Sequence, residues 1–256
     1  TAGTIFQDTR TPLLTWFRAA WYVTNQKLGV SALGLQRVFG LGSYQTAWAM
    51  LHRFRRAMIR PGLERLCGTV EIDETYVGGP EKSVRGRQTR TKSIVAIAVE
   101  TFEPKGFGRV RMMSVPNVSA PSLLGFVRGA VEPGSCVRSD GWASYLGLFD
   151  AGYEHQPTNI SASGSPAHVA MPAVHRVASL LKRWLIGTHQ GSASPWHLDE
   201  YLNEFTFRFN RRRSRARGML FYRLLEQAVV TQPTTYRNIV DSPAEWRPQP
   251  LVSGKP

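Results

Sequence analysis

Cysteine is almost absent from this chain of 256 residues, because only Cys67 and Cys136 are present. Two cysteines cannot form the disulfide framework of a small secreted protein or a cysteine-rich zinc site. We therefore expect a reducing, cytoplasmic location and no zinc within the chain. Long apolar runs are also lacking, which excludes a transmembrane helix, and the N-terminus has no basic-then-apolar signal sequence. The apolar content of 42% still allows a substantial buried core.

Acidic residues are few, with 18 Asp and Glu against 32 Lys and Arg, so the net charge is +14. Such an excess attracts polyanions, and guanidinium groups pair bidentately with phosphate oxygens. Solvated helix faces, or RNA binding by charge alone, are the alternatives to specific DNA contact. The basic residues that we predict to bind DNA are Arg53, Arg55, Arg56, Lys182, Arg183, Arg208, Arg211 and Arg212.

The apolar pattern predicts a helical DNA-binding region at 1–66, a catalytic α/β domain at 67–230 and a Pro-rich tail at 231–256. In the first region, helices are predicted at 12–21, 29–39 and 44–58, with Ser43 as an N-cap. The last two helices and the turn between them form a helix-turn-helix pattern, although any small helical bundle shows the same alternation. In the second region, strands are predicted at 70–77, 93–99, 107–115 and 135–139, and helices at 119–131, 173–187, 198–208 and 220–230. The segment 157–172 is predicted to be a loop.

Two aspartates and a histidine stand out within the α/β region. Asp73 lies inside an apolar, β-branched strand, where an unpaired carboxylate is costly to bury. Asp140 ends another strand, and His175 opens a helix that carries Lys182 two turns later, so the two side chains point the same way. Acids at two strand ends and a third polar group can hold two divalent ions that stabilise the charge developed when a phosphodiester is attacked. Glu74, in contrast, is predicted to point to the opposite sheet face and serve structure.

Each of these residues has an ordinary structural explanation as well. An aspartate that precedes a glycine is usually a turn residue, and a histidine at a helix start often binds nothing. Together, however, they accompany further motifs at 72–79, 139–142, 181–185 and 201–212. With these motifs the chain resembles bacterial insertion-sequence transposases of the DDE superfamily, in the group with an Ile-Asp-Glu-Thr-Tyr motif.

The resemblance implies an RNase H-like mixed sheet flanked by helices, and metal-dependent DNA cleavage and strand transfer at element ends. It implies that Asp73, Asp140 and His175 are catalytic and bind two Mg²⁺ or Mn²⁺ ions. It also implies double-stranded DNA as partner, a homo-oligomer on that DNA and association with the nucleoid. Most of the superfamily has Glu where this chain has His175, and imidazole suits Mn²⁺ better than Mg²⁺.

Three alternatives remain open from the sequence. Glu154 is a possible replacement for His175 as the third ligand, although its distance from Asp140 along the chain fits less well. The family usually begins with a cysteine-rich zinc ribbon, so we expect the chain to be a fragment that begins just after it. The chain could then be a catalytically silent DNA-binding remnant, or a nuclease that cuts without joining.

Overall fold

The computed structural model describes residues 1–59, 65–79, 89, 91–104, 106–158, 167–191, 193–216 and 218–241. Its first part is helical, as predicted, with α1 at Leu13–Asn25, α2 at Ala32–Phe39 and α3 at Tyr44–Ala57. Ser31 and Ser43 begin α2 and α3, since each hydroxyl accepts a hydrogen bond from a backbone N–H three residues later. Gly40 ends α2 in the left-handed conformation, with φ of 59°. The N-cap role predicted for Ser43 is therefore confirmed.

A five-stranded mixed sheet follows. Its strands are β1 at Thr69–Val77, β2 at Ser93–Thr101, β3 at Phe107–Val115, β4 at Cys136–Ser139 and β5 at Glu154–Pro157. Their order in space is β3-β2-β1-β4-β5. The first three strands pair antiparallel, whereas β4 runs parallel to β1 and to β5. The predicted α/β class with a mixed, RNase H-like sheet is confirmed. The sequence did not predict β5, because that strand carries no apolar side chain.

Helices cover both faces of the sheet. On one face lie α4 at Ala120–Ala130 and a 3₁₀ helix at Ala143–Leu148, packed on Val70, Ile72 and their neighbours. On the other face lie α6 at Pro172–His189 and α7 at Leu198–Asn210, packed on alternate residues of β2. A short helix, α5 at Ala167–Ala170, lies within the segment predicted as a loop. Because strand residues alternate between faces, the side of β1 that carries Asp73 faces α6.

The C-terminal helices return to the N-terminal ones. Helix α8 spans Gly218–Ala228, and its Leu224 and Ala228 join the core formed by α1 and α3. Packing therefore connects helices on either side of residue 66, and the expected domain boundary there stays a prediction. The expected tail begins with a helix, α9 at Tyr236–Asp241, which contacts α3, and the rest of that tail lies outside the described residues. In the described ranges, every helix is too short or too polar to cross a membrane.

Candidate active site

Asp73 and Asp140 lie at the same level of neighbouring strands. Strands β1 and β4 pair in parallel as far as Glu71 opposite Arg138, and Asp73 and Asp140 each follow this last pair by two residues. Adjacent strands are about 4.8 Å apart. Each aspartate is also oriented locally, since Asp73 Oδ1 accepts the N–H of Glu74 at 2.8 Å and Asp140 Oδ1 accepts the N–H of Trp142 at 3.0 Å. The fold therefore brings together two carboxylates that are 67 positions apart in the chain.

His175 joins this pair from the sheet face that α6 covers. Its Nε2 lies 3.8 Å from Oδ2 of Asp73, and the two side chains are 29% and 17% exposed, respectively. Both groups are therefore close enough to share a ligand, and both side chains are partly exposed although the Nε2 atom of His175 is buried. Lys182 follows two turns later on the exposed surface of α6. Desolvation and the nearby Lys92 lower the pKa of Lys182, while Asp73 acts in the opposite direction, so the ammonium group is electrostatically coupled to the aspartate.

A buried carboxylate holds the elements of this site together. Glu71 is only 1% exposed, and its Oε2 accepts the backbone N–H groups of Ala173 and Val174 at 2.8 and 3.0 Å. Those N–H groups belong to the first turn of α6, which has no side-chain cap of its own. The other oxygen, Oε1, lies 3.8 Å from Arg138 on β4. Glu71 thus links the strand of Asp73, the strand before Asp140 and the helix turn that carries His175.

The opposite face of β1 supports the site from behind. Glu74 points toward the 3₁₀ helix after Asp140, where its Oε1 accepts a hydrogen bond from the hydroxyl of Tyr145 at 3.1 Å. Burial raises the pKa of Tyr145 well above its usual value, and Glu74, Asp73 and Asp140 raise it further. The tyrosine therefore stays a neutral donor that ties the chain after Asp140 to β1. The structural role predicted for Glu74 agrees with this contact.

The three side chains are of types that bind divalent ions. Mn²⁺ binds both carboxylate oxygen and imidazole nitrogen, whereas Mg²⁺ prefers the carboxylate oxygens alone. Asp73 and His175 are within reach of one shared ion. Within the described ranges, however, ligand atoms of Asp73, Asp140 and His175 do not all come within 4.8 Å of one another. A common ion would therefore require these partly exposed side chains to move.

Glu154 does not qualify as the third ligand. It begins β5, where it pairs with Cys136 at the start of β4, and its charge and hydrogen bond help to raise the pKa of that thiol after burial. Asp140 lies four residues beyond Cys136, about 13 Å further along the strand direction. Strand topology therefore argues against Glu154 as a replacement for His175, since Glu154 and Asp140 lie at opposite ends of the β4–β5 pair.

The basic residues of α3 are in internal contacts. Arg55 is 2% exposed, and its Nε donates to Glu204 of α7 at 2.9 Å. Arg56 pairs with Glu200 of α7 at 3.2 Å, and Arg53 donates to the carbonyl oxygen of Thr234 at 2.8 Å. From Ala47 onward the helix is buried or half-buried. A recognition helix must present its side chains to the groove, so this conformation does not offer Arg55 to DNA. The burial of Arg55 could not be predicted, because sequence patterns alone do not distinguish a buried guanidinium group from an exposed one.

The basic run around residue 210 is also largely structural. Arg208 donates to Glu204 and to the carbonyl oxygens of Val23 and Gln26 near the end of α1. Arg211 lies over the ring of Phe207, and Arg212 lies over Phe209 and donates to carbonyl oxygens of β3. Guanidinium groups therefore tie α1, β3 and α7 together. Among the basic residues predicted to bind DNA, Lys182 and Arg183 lie exposed, on the same helix as His175.

The comparison with known proteins agrees with this geometry. Residues 65–210, more than half of the chain, match the ISXO2-like transposase domain family. The matched region begins just before β1 and ends with α7, so it contains the sheet and all three candidate catalytic residues. No curated protein matches the chain.

Proposed function

Because the chain belongs to the ISXO2-like transposase family, we propose that it cuts DNA at the ends of an insertion sequence and joins those ends to a new site. The observation that carries this proposal is the approach of His175 to Asp73, with Asp140 directly after the neighbouring strand. Asp73 on β1 lies level with Asp140 after β4, and His175 on α6 is 3.8 Å from Asp73.

The roles of the three residues follow from their chemistry. The carboxylates of Asp73 and Asp140 and the imidazole of His175 would hold divalent ions on β1, near the point where β4 ends. Such ions supply charge stabilisation for the attacking and leaving oxygens of a phosphodiester. Asp73 contributes a carboxylate from a rigid central strand, and the bond from Glu74 to Oδ1 leaves Oδ2 directed toward His175.

The exposed surface of α6 supplies the DNA contacts in this proposal. Lys182 and Arg183 lie on the same helix as His175, two turns away, and both are exposed. A phosphate that approaches the active site would meet the Lys182 ammonium group, which is coupled to Asp73. Arg183 can pair bidentately with a neighbouring phosphate. Because both side chains move with α6, they fix the scissile phosphate relative to His175.

A cleavage assay on the native DNA context tests the proposal. A plasmid that carries the gene with its flanking DNA is incubated with the protein and Mn²⁺ or Mg²⁺, and new DNA ends are mapped. We expect cuts at fixed positions on both flanks, and their loss in Asp73→Asn and in Asp140→Asn while DNA binding persists. Asp241→Asn is the matched control, because that carboxylate is exposed on α9, where it pairs with nearby Arg237.

Two results would contradict the proposal. Undiminished cleavage by Asp73→Asn or Asp140→Asn would remove those residues from the chemistry. A folded wild-type protein that binds the flanking DNA and cuts it with neither ion would favour the catalytically silent remnant.

A further inference from the structure

A second cluster of metal-binding side chains lies where α3 meets the start of α7. His52 comes from α3, His197 ends a 3₁₀ helix at Pro195–His197, and Glu200 lies in the first turn of α7. One ligand atom from each residue lies within 4.8 Å of the other two, and no other trio does so in the part of the chain that the structure describes. His197 Nδ1 and Glu200 Oε2 are 3.6 Å apart. Two ligands on one tetrahedral ion lie about 3.3–3.5 Å apart, so a shift of a few tenths of an ångström would let both bind one ion.

The polar atoms that converge here are buried without hydrogen-bond partners. Nδ1 of His52, Nδ1 of His197 and Oε2 of Glu200 each lack a partner among the described residues. His52 and Glu200 are both 0% exposed. A buried polar group without a partner destabilises the fold. A single bound cation would satisfy all three atoms at once.

The protonation states of the two histidines also suit a cation, whereas burial raises the pKa of Glu200 against the opposing effect of Arg56. Burial first, and then Arg55, lowers the pKa of His52, and burial and Arg56 lower that of His197, so both imidazoles are neutral and can offer a lone pair. Arg56 donates to Oε1 of Glu200 at 3.2 Å, which leaves Oε2 for another partner. Two imidazoles and one carboxylate form a set that Zn²⁺ binds, with water as fourth ligand.

We propose that His52, His197 and Glu200 form a Zn²⁺ site that fastens α3 to α7. The site is separate from Asp73, Asp140 and His175, so this proposal does not depend on the proposed function. The sequence-based expectation of no zinc considered cysteine ligands only, and histidine and glutamate ligands satisfy the same ion without them. The spacing of His197 and Glu200, three residues apart at a helix start, places both ligands on one face.

The surroundings set a limit on affinity. Arg55 Nη1 lies 3.3 Å from Nε2 of His52, and an arginine can only donate in that contact. If zinc bound Nδ1 of His52, Nε2 would carry the proton and could not accept from Arg55. Arg55 would then have to turn Nη1 toward its other partners, Glu204 and the ring of Tyr201. We therefore expect micromolar rather than picomolar binding.

Metal content and cobalt spectroscopy test the site on the full chain. The protein is stripped with a chelator and dialysed to equilibrium against Zn²⁺ or Co²⁺ at concentrations above the expected Kd, and the bound ion is measured. Asp73→Asn/Asp140→Asn is the background that removes ligands of the candidate active site. We expect this variant to retain one ion per chain and the visible absorption of tetrahedral Co²⁺. His197→Asn and Glu200→Gln, each in the same background, should lose both signals. His155→Asn, which changes a histidine outside the cluster, should keep them.

Thermal unfolding keeps the test decisive if a cluster variant fails to fold. Zn²⁺ at about 100 times its Kd should raise the Tm of the Asp73→Asn/Asp140→Asn variant by about 5–10 °C. An unchanged Tm together with no retained ion would overturn the proposal. Equal ion retention by the His197→Asn and Glu200→Gln variants would overturn it as well, because the ion would then lie elsewhere.

Discussion

Replacing Glu71 by glutamine should loosen the helix that carries His175. The carboxylate accepts two N–H groups in the first turn of α6 and lies 3.8 Å from Arg138 through its other oxygen. Glutamine has nearly the same shape and keeps one acceptor oxygen. The substitution therefore removes the charge and presents an amide NH₂ to the helix turn or to Arg138.

The magnitude follows from the position of the charge. A partly buried carboxylate at a helix N-terminus stabilises by up to about 2 kcal/mol, and charge-assisted hydrogen bonds are about twice as strong as neutral ones. We expect Glu71→Gln to lower the free energy of unfolding by about 1–2 kcal/mol. For a chain of this size the Tm should fall by about 2–8 °C. Because Ala173 and Val174 directly precede His175, Mn²⁺ affinity at the active site should fall by about tenfold, as for other residues that orient metal ligands.

Differential scanning calorimetry and Mn²⁺ titration on the same samples check both numbers. Glu226→Gln is the matched control, since Glu226 is exposed and pairs with Arg223 on the surface. Its stability should change by less than about 0.5 kcal/mol. A wild-type Tm in Glu71→Gln would refute the capping role. A lowered Tm with unchanged Mn²⁺ affinity would show that Glu71 stabilises α6 without positioning His175.

Three further outcomes are expected. His175→Glu should raise the ratio of DNA cleavage in Mg²⁺ to that in Mn²⁺, because Mg²⁺ binds a carboxylate oxygen better than an imidazole nitrogen. An unchanged ratio would show that His175 is not a metal ligand. Lys182→Ala should weaken DNA binding and reduce the slope of log affinity against log salt by about 1. Arg55→Met should leave that slope unchanged and instead destabilise the fold, by less than the roughly 3–5 kcal/mol of an uncompensated buried charge, because Glu204 keeps its pair with Arg208. Finally, burial and Arg55 lower the pKa of His189 from 6.5 to about 4. As the pH falls, the unfolded chain therefore binds a proton at this histidine before the folded chain does, and the free energy of unfolding should fall by about 3 kcal/mol from pH 7 to pH 4. Urea unfolding of His189→Asn should show a smaller fall, and an equal fall would contradict this assignment.

The candidate active site could largely be predicted from the sequence, because its residues carry local signals. Asp73 interrupts an apolar strand, Asp140 precedes a glycine at a strand end, and His175 opens an amphipathic helix. Strand alternation also predicted that Glu74 points away from Asp73. The same alternation places Glu71, two residues before Asp73, on the same face of β1, and this pattern could have identified Glu71 as a residue near the site. Its bond to α6 joins residues about 100 positions apart, and local patterns carry no information on that pairing.

The roles of the arginines could not be predicted from the sequence. Arg55 and Arg208 belong to clusters that look like a DNA-binding surface, yet both pair with Glu204, which is 1% exposed. Burial raises the pKa of Glu204, but the two guanidinium groups outweigh it and lower the pKa, so the glutamate stays charged. Their function depends on the docking of α3 against α7, which is a property of the tertiary fold. The same docking brings His52 toward His197 and Glu200.

The most direct test of the central claim is a calorimetric titration of Mn²⁺ into the wild type, Asp140→Ala and His175→Ala. Any other metal site is present in all three proteins, so the heat of Mn²⁺ binding at that site is the same in each and cancels in the comparison. Asp73, Asp140 and His175 acting as one site predict that the same binding event disappears in both variants. A wild-type isotherm in Asp140→Ala and His175→Ala alike would contradict the claim that these side chains form a metal-dependent active site.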